Sequence, residues 1–434
     1  MRLLILLAST TMLAACGGAG PQSAGSAAPP PTVGGGSGDG SGETHSFVNP
    51  TEQRTYIAVG SSHSYSYDAG PDLMAFDADG NPVLNPDGSY ATRIARQDGQ
   101  LYQGNATTVR NSNLSIDYNP RDAIFNVSFS NGLAGTSGAS RFQDPLHRTN
   151  FGGAIEPQFG TPNLGSAQWN LPGINYLESG ASDNVVFDRR IPGEFVFDLI
   201  DPSAPGSYDS TTFFYQTPGT ETQYVTFAGY LRNTASVTQR DFIQADGITV
   251  AQHPGQQNTF ERGAFAYGEL SANDNVPTSG TGSFEGTMLA SMVFNDQPDL
   301  LGNRDTYFQW IAGRATTNVD FGANTFALSL DGTVGAPLFD GTSGRQSVLE
   351  NAQFRANGAG QIDLVAAGGF FGQFNEAWFV NPGGARLDVN IAGSSIDGAF
   401  YGPNGEEIGG GYRIVGGTPD ERIDILGTFV GRGN

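Results

Sequence analysis

From position 279 to the end, the sequence keeps returning to one pattern: a short run of alternating apolar and polar residues, then a turn signal. The runs are GSFEGTMLASMVF (282–294), YFQWIAGRATTNVDF (307–321), TFALSLDG (325–332), QSVLENAQFRA, GQIDLVAAGGFFG, RLDVNIAGSSIDGAFY (386–401), EIGGGYRIV and RIDILGTFVG. A period of two puts successive side chains on opposite faces of a strand, so each run has one face to bury and one to leave in water. About eight such strands match the number at which side chains just fill a closed barrel. Glycine recurs inside the runs, at Gly286, Gly313, Gly393, Gly398, Gly409, Gly410, Gly411 and Gly427. Interior glycine weakens a strand unless the sheet must curve tightly or a neighbouring ring needs room.

AFYGPNGEEIGGGYRI (399–414) concentrates the pattern. Gly402-Pro403-Asn404-Gly405 supplies the residues of a tight connection. Ile396, Gly398 and Phe400 share one face of the strand before it, and Val389 with Ile391 opposes Asp388 with Asn390. The triple glycine is expected opposite Gly398–Phe400, leaving space for the ring.

The rest of the chain sets limits. It has 434 residues, formal net charge −22, 15% charged residues, 62 glycines and 29 phenylalanines. That acidity opposes phosphate backbones, so nucleic acid is not an expected partner. The aromatic content is that of a folded chain. Cys16 is the single cysteine, which rules out an intramolecular disulfide. His45, His63, His147 and His253 have no metal-motif spacing.

MRLLILLASTTMLAAC has a basic residue, a short apolar run and small residues before Cys16. This is a secretory leader, too short for a stable span. Leu13-Ala14-Ala15-Cys16 resembles the bacterial lipobox, in which the leader is cut before the cysteine and the cysteine carries lipid such as palmitate. Gly17, rather than Asp, follows it and favours the outer membrane. GGAGPQSAGSAAPPPTVGGGSGDGSGE after Cys16 is a flexible linker. At ~5–6 Å × √n, roughly 27 residues reach about 25–30 Å.

Residues 45–275 are also β-rich. LSIDYNPRDAIFNVSF (114–129) reads as a hairpin around Asn119-Pro120-Arg121-Asp122, and TTFFYQT and TQYVTFAGYLRN as strands around Pro218-Gly219.

Chemical motifs are scarce. Asp77, Asp79 and Asn81 have calcium-loop spacing, but Pro82 and Gly88 stand where an EF-hand needs Gly and Glu, so a turn is expected. Glu406-Glu407 and Asp420-Glu421 are adjacent pairs at turn edges whose side chains diverge. Arg189-Arg190 is isolated. No catalytic residue, metal ligand or cofactor is expected. Aromatics in SHSYSY (62–67) and FFGQFNEAWF (370–379) are candidates for recognition, with barrel wall or core the plainer reading for most of them.

The phrase Gly398-Ala399-Phe400-Tyr401-Gly402-Pro403, with Glu407 and Gly409-Gly410 after it, resembles the closing hairpin of the barrel of transferrin-binding protein B and related surface lipoproteins. RATTNVDFGANTFALSL (314–330) and LGTFVGRG are similar to two further hairpins of that family. The resemblance implies an all-β chain: leader 1–15, lipidated Cys16 and linker 16–44, a β-rich handle-like domain 45–275, and an eight-stranded antiparallel barrel 276–434. It implies an outer-membrane, surface-exposed lipoprotein, not an enzyme, that captures an iron- or haem-type carrier or solute for a TonB-dependent transporter. The region 45–275 matches no handle motif residue by residue. A structural or adhesive surface lipoprotein is the second reading, and an envelope enzyme the third.

Overall fold

The computed structural model describes residues 52–69, 73–74, 81–93 in part, 105–108, 114–119, 124–131, 136–143, 174–182, 206–216, 219–243, 250–295, 306–335, 349–365, 368–418 and 421–434. Cys16, the leader, the linker, Asp77, Asp79 and Arg189-Arg190 lie outside them. Among the described residues the chain is almost all strand, with one 3-10 turn at Asn273–Asn275.

The first sheet is built from β1 (Arg54–Ala69), β4 (Asn105–Thr108), β5 (Ser115–Asn119), β6 (Ile124–Asn131), β7 (Thr136–Gln143), β8 (Ile174–Ser182), β9 (Gly206–Gln216), β10 (Val225–Ile243) and β11 (Val250–Gly268). Its order is β7-β6-β5-β1-β11-β10-β9-β8, with β4 beside β5 along β1. β2 (Leu73–Met74) and β3 (Thr92–Arg93) form a separate pair. The expected hairpin is present: Asn119 opposes Ile124 and Ser115 opposes Ser128. The sheet curls into a half-barrel. Tyr56, Ile116, Phe125, Phe213, Tyr230 and Phe265 pack on one of its faces.

The second sheet runs through β12 (Thr281–Asn295), β13 (Thr306–Asp320), β14 (Thr325–Val334), β15 (Gln353–Asp363), β16 (Gly369–Val380), β17 (Arg386–Asp388), β18 (Asn390–Tyr401), β19 (Glu407–Thr418) and β20 (Glu421–Gly433). β20 pairs back onto β12, and the eight strands other than β17 close into an antiparallel barrel. The run 386–401, expected as one strand, is two. It breaks at Val389, whose N–H donates to Ala377 O (2.8 Å), and a register shift follows between Ile391 and Gly393.

The barrel is filled, not hollow. Phe284, Met288, Phe326, Phe354, Phe370, Phe374, Phe400, Tyr412 and Phe429 occupy its interior. β14 shows how the sequence does this: Phe326, Leu328, Leu330 and Val334 are buried, and Thr325, Ala327, Ser329, Asp331 and Thr333 are exposed. A membrane-spanning barrel has the reverse arrangement, apolar outside and polar within.

The glycine expectation needs one correction. Gly398 and Gly410 do oppose each other. The ring over Gly398, however, is that of Phe370 on β16, not Phe400. At Gly410 the close neighbour is backbone, Gly398 Cα at 2.7 Å from where a Cβ would stand. At Gly410 the bare backbone lets strands approach, and at Gly409 it makes room for the Val225 and Ala266 side chains of the first sheet; neither seats the Phe400 ring.

Candidate functional site

Two halves of the barrel differ in what covers them. On β12 the residues from Gly286 to Phe294 are buried on both faces. Met288 and Met292 point inward, while Leu289 and Val293 point outward into a seam with the first sheet. Val59, Phe227, Leu231 and Ala266 meet Trp310, Ala399, Tyr401, Leu426 and Val430 there. The Phe214 and Trp310 rings meet edge to face, centroids 5.2 Å apart. A strand apolar on both faces is a strand covered on both.

Charge is buried in the same seam. His63 on β1 lies directly opposite Arg262 on β11. Arg413 on β19 and Asp424 on β20 face them from the barrel. Arg262 Nη2 lies 2.6 Å from Asp424 Oδ1, and Arg413 Nη2 lies 2.6 Å from Asp424 Oδ2. Arg413 Nε donates to Oδ1 at 3.1 Å. Arg262 Nη1 also donates to Ser291 O and Oγ, at 2.9 and 3.2 Å. The Arg262, His63 and Asp424 side chains have 0% exposure. Burial pushes the Asp424 carboxyl up, but Arg413 and Arg262 overcome it and hold the group well below the carboxylate range. Burial, reinforced by Arg413, pushes His63 well below its ordinary value and outweighs Asp424. His63 is therefore neutral, and its 3.8 Å approach to Asp424 is not an ion pair.

The Gly402–Glu407 turn docks on the first sheet. Gly402 and Gly405 adopt φ of +91° and +76°, which non-glycine residues rarely tolerate. Gly402 N–H donates to Glu269 O (3.0 Å), Ser271 Oγ to Gly402 O (2.6 Å), and Leu270 bridges Tyr401. Glu407 is only 1% exposed. Its carboxylate accepts the backbone N–H groups of Gln223, Tyr224 and Val225 at 2.5, 2.6 and 3.2 Å, just where β10 begins. Burial raises its pKa; the three N–H bonds and Arg432 pull the other way without cancelling the rise. Nearer the rim, Glu221 binds Arg314 (2.9 Å) and accepts from Thr287, and Arg54 binds Glu269 (2.8 Å).

These positions revise the sequence reading. Glu406 stays at the turn, bonded by Asn404 (2.8 Å). Glu407 stands at the turn edge, as expected; what the sequence did not show is that there it is a buried acceptor between the two sheets, as the first outward residue of a covered strand. In SHSYSY, His63 joins the buried cluster. In FFGQFNEAWF, Phe370, Phe374 and Phe379 are core, and Trp378 lies on the outer wall with Arg386 4.3 Å over its ring. Among the described residues no group of His, Cys, Asp or Glu could hold a metal ion. The buried cluster is shut off from solvent, so its chemistry is to fix the two sheets, not to meet a substrate.

The barrel has two unlike ends. β13 and β14 are joined by the tight turn 321–324, and β18 and β19 by the 402–406 turn. At the opposite end, segments 296–305 and 336–348 lie outside the described residues. The start of β1 is at the turn end, through Arg54 and Glu269 beside the Leu270–Tyr401 bridge.

No protein-family model matches the chain, and no curated protein matches it in sequence. Among solved structures, a double mutant of transferrin binding protein B from Haemophilus parasuis is similar, with 12% identity over 90% of this chain and 78% of that one, at a TM-score of 0.26. Transferrin binding protein B of serogroup B Neisseria meningitidis is similar at 11% identity over 89% and 77%, with a TM-score of 0.21. Scores this low establish no shared overall shape; the fold stands on the strand pairing above.

Proposed function

We propose that this protein is a lipid-anchored capture platform at the bacterial outer membrane, displayed outside the cell, for an iron- or haem-type carrier passed to a TonB-dependent transporter. Cys16 would carry the lipid and residues 17–44 the tether. The handle-like region 45–275 and the barrel 276–434 would form the platform. The single observation that carries this reading is the closed, side-chain-filled barrel with its Gly398–Gly411 hairpin, by which the sequence resembles the transferrin-binding-protein-B-like lipoproteins.

Two features support the reading. The barrel wall exposes Asp331, Arg355, Gln353 and Glu376, so it suits water and not acyl chains. The first described strand starts at Arg54, at the turn end, so a tether from Cys16 would enter there. A linker reaching about 25–30 Å from a membrane would then leave the opposite end facing away. The loops at that far end, with the adjoining handle face, would meet the carrier.

The test is capture from spent growth medium by cells bearing the wild-type chain and by cells bearing Cys16→Ala. Wild-type protein should stay with the membrane, be degraded by protease added to intact cells, and recover an iron- or haem-containing protein in stoichiometric amount. Cys16→Ala protein should be released yet still capture. Membrane retention without Cys16 overturns the anchor. Recovery of glycan alone overturns carrier capture in favour of adhesion.

A further inference from the structure

We propose that the seam between the two sheets is an acid-operated joint, closed while His63 is neutral and loosened when His63 takes up a proton. This does not depend on which ligand the platform captures.

The geometry carries the idea. His63 is enclosed by Arg262 from β11, Arg413 from β19 and Asp424 from β20. Both guanidiniums already share the Asp424 carboxylate. Asp397, on β18, lies buried on the same outward barrel face as Ala399. Glu261, the neighbour of Arg262, serves the opposite face of the first sheet, where Tyr230 donates to it (3.0 Å). Within the closed seam, a proton on His63 places a third cation beside two guanidiniums that burial keeps from the screening of bulk solvent. In the opened seam His63 titrates at its ordinary value, about 6.5.

The sign follows from linkage. The opened state binds the proton and the closed state does not, so closure is fully favourable above about pH 6.5 and loses about tenfold in its equilibrium constant per pH unit below that. Burial and Arg413, which depress His63, set this direction. Asp424, held low by its guanidiniums, adds a loss of the same sign further down, in the carboxylate range.

Hydrogen exchange of the full chain between pH 8 and 5, corrected for the intrinsic rate, tests this. Amides of β1 and β20 in the seam should lose protection about tenfold per unit below pH 6.5, while β14 and β15 keep theirs. His63→Gln should be flat over that range. A chain with His45, His147 and His253 all changed to glutamine should keep the wild-type slope, which decides the matter even if His63→Gln does not fold. Unchanged seam protection from pH 8 to 5 overturns the proposal. So does an equal slope in His63→Gln, or loss of the slope in the triple variant.

Discussion

The barrel carries Arg–Asp pairs in two settings. On the open wall, Asp331 and Arg355 are cross-strand partners on β14 and β15, 3.1 Å apart, with side chains 54% and 51% exposed. On the covered half, Asp424 binds Arg413 across β20 and β19 at 2.6 Å, with exposures of 0% and 4%. The residue types are the same, and both pairs link neighbouring antiparallel strands. Only the second pair lies under another sheet. Water screens the first and lets either partner leave at little cost. The second has lost its hydration, so each charge depends on the others. The seam mixes Leu289, Val293 and Leu426 with Arg262, Arg413 and Asp424, so apolar burial and directional charge contacts meet in one interface.

The largest test of that contrast is Asp424→Ala. It leaves two buried guanidiniums without their carboxylate, and removing one partner of a buried pair costs about 3–5 kcal/mol. Denaturant unfolding should show that loss, with seam amides exchanging faster than those of β14. A cost under about 1 kcal/mol would mean the cluster is solvated and the two settings are alike. Glu407→Gln should cost less, about 1–3 kcal/mol, because the side-chain shape survives while the charge and one acceptor oxygen go. The local readout is exchange at the Gln223, Tyr224 and Val225 amides, which should speed up while that of Phe326 on β14 does not. Unchanged protection at those three amides would remove Glu407 from the joint.

Much of the strand pattern in both sheets was legible because its signals are local. Thr325–Val334 spells its own inside and outside, and Asn119 to Ile124 its own hairpin. The break at Val389 was not legible, since it marks a change of register against β16, which pairs Trp378 with Asp388 on one side of the break and Phe370 with Gly398 on the other. The seam was half legible. TMLASMV on β12 is apolar on both faces, and that already says something covers it. What the pattern could not say is which segment does so. His63 is more than 300 positions from Arg413 and Asp424, and no periodicity links residues so distant. The place of Glu407 at the turn edge was legible, but its burial was not: only the approach of the β10 start makes it a buried acceptor.

The smallest expected effect sharpens the comparison from its other side. Asp331→Ala removes the carboxylate from an exposed cross-strand pair in the same barrel. Such pairs contribute about 0–1 kcal/mol, and added salt screens them further. Arg355 keeps its water when Asp331 goes, so nothing is left desolvated. The denaturation midpoint should move little, and the difference from wild type should shrink further at high ionic strength. The wall carries its polar cross-links, Ser329 with Asn357 (3.0 Å), Asn357 with Glu376 (2.7 Å) and Gln353 with Thr333 (3.0 Å), in the same solvated state. If Asp331→Ala instead cost as much as Asp424→Ala, burial would not be what separates the two pairs. The seam would then be one more polar contact on a barrel already rigid by itself.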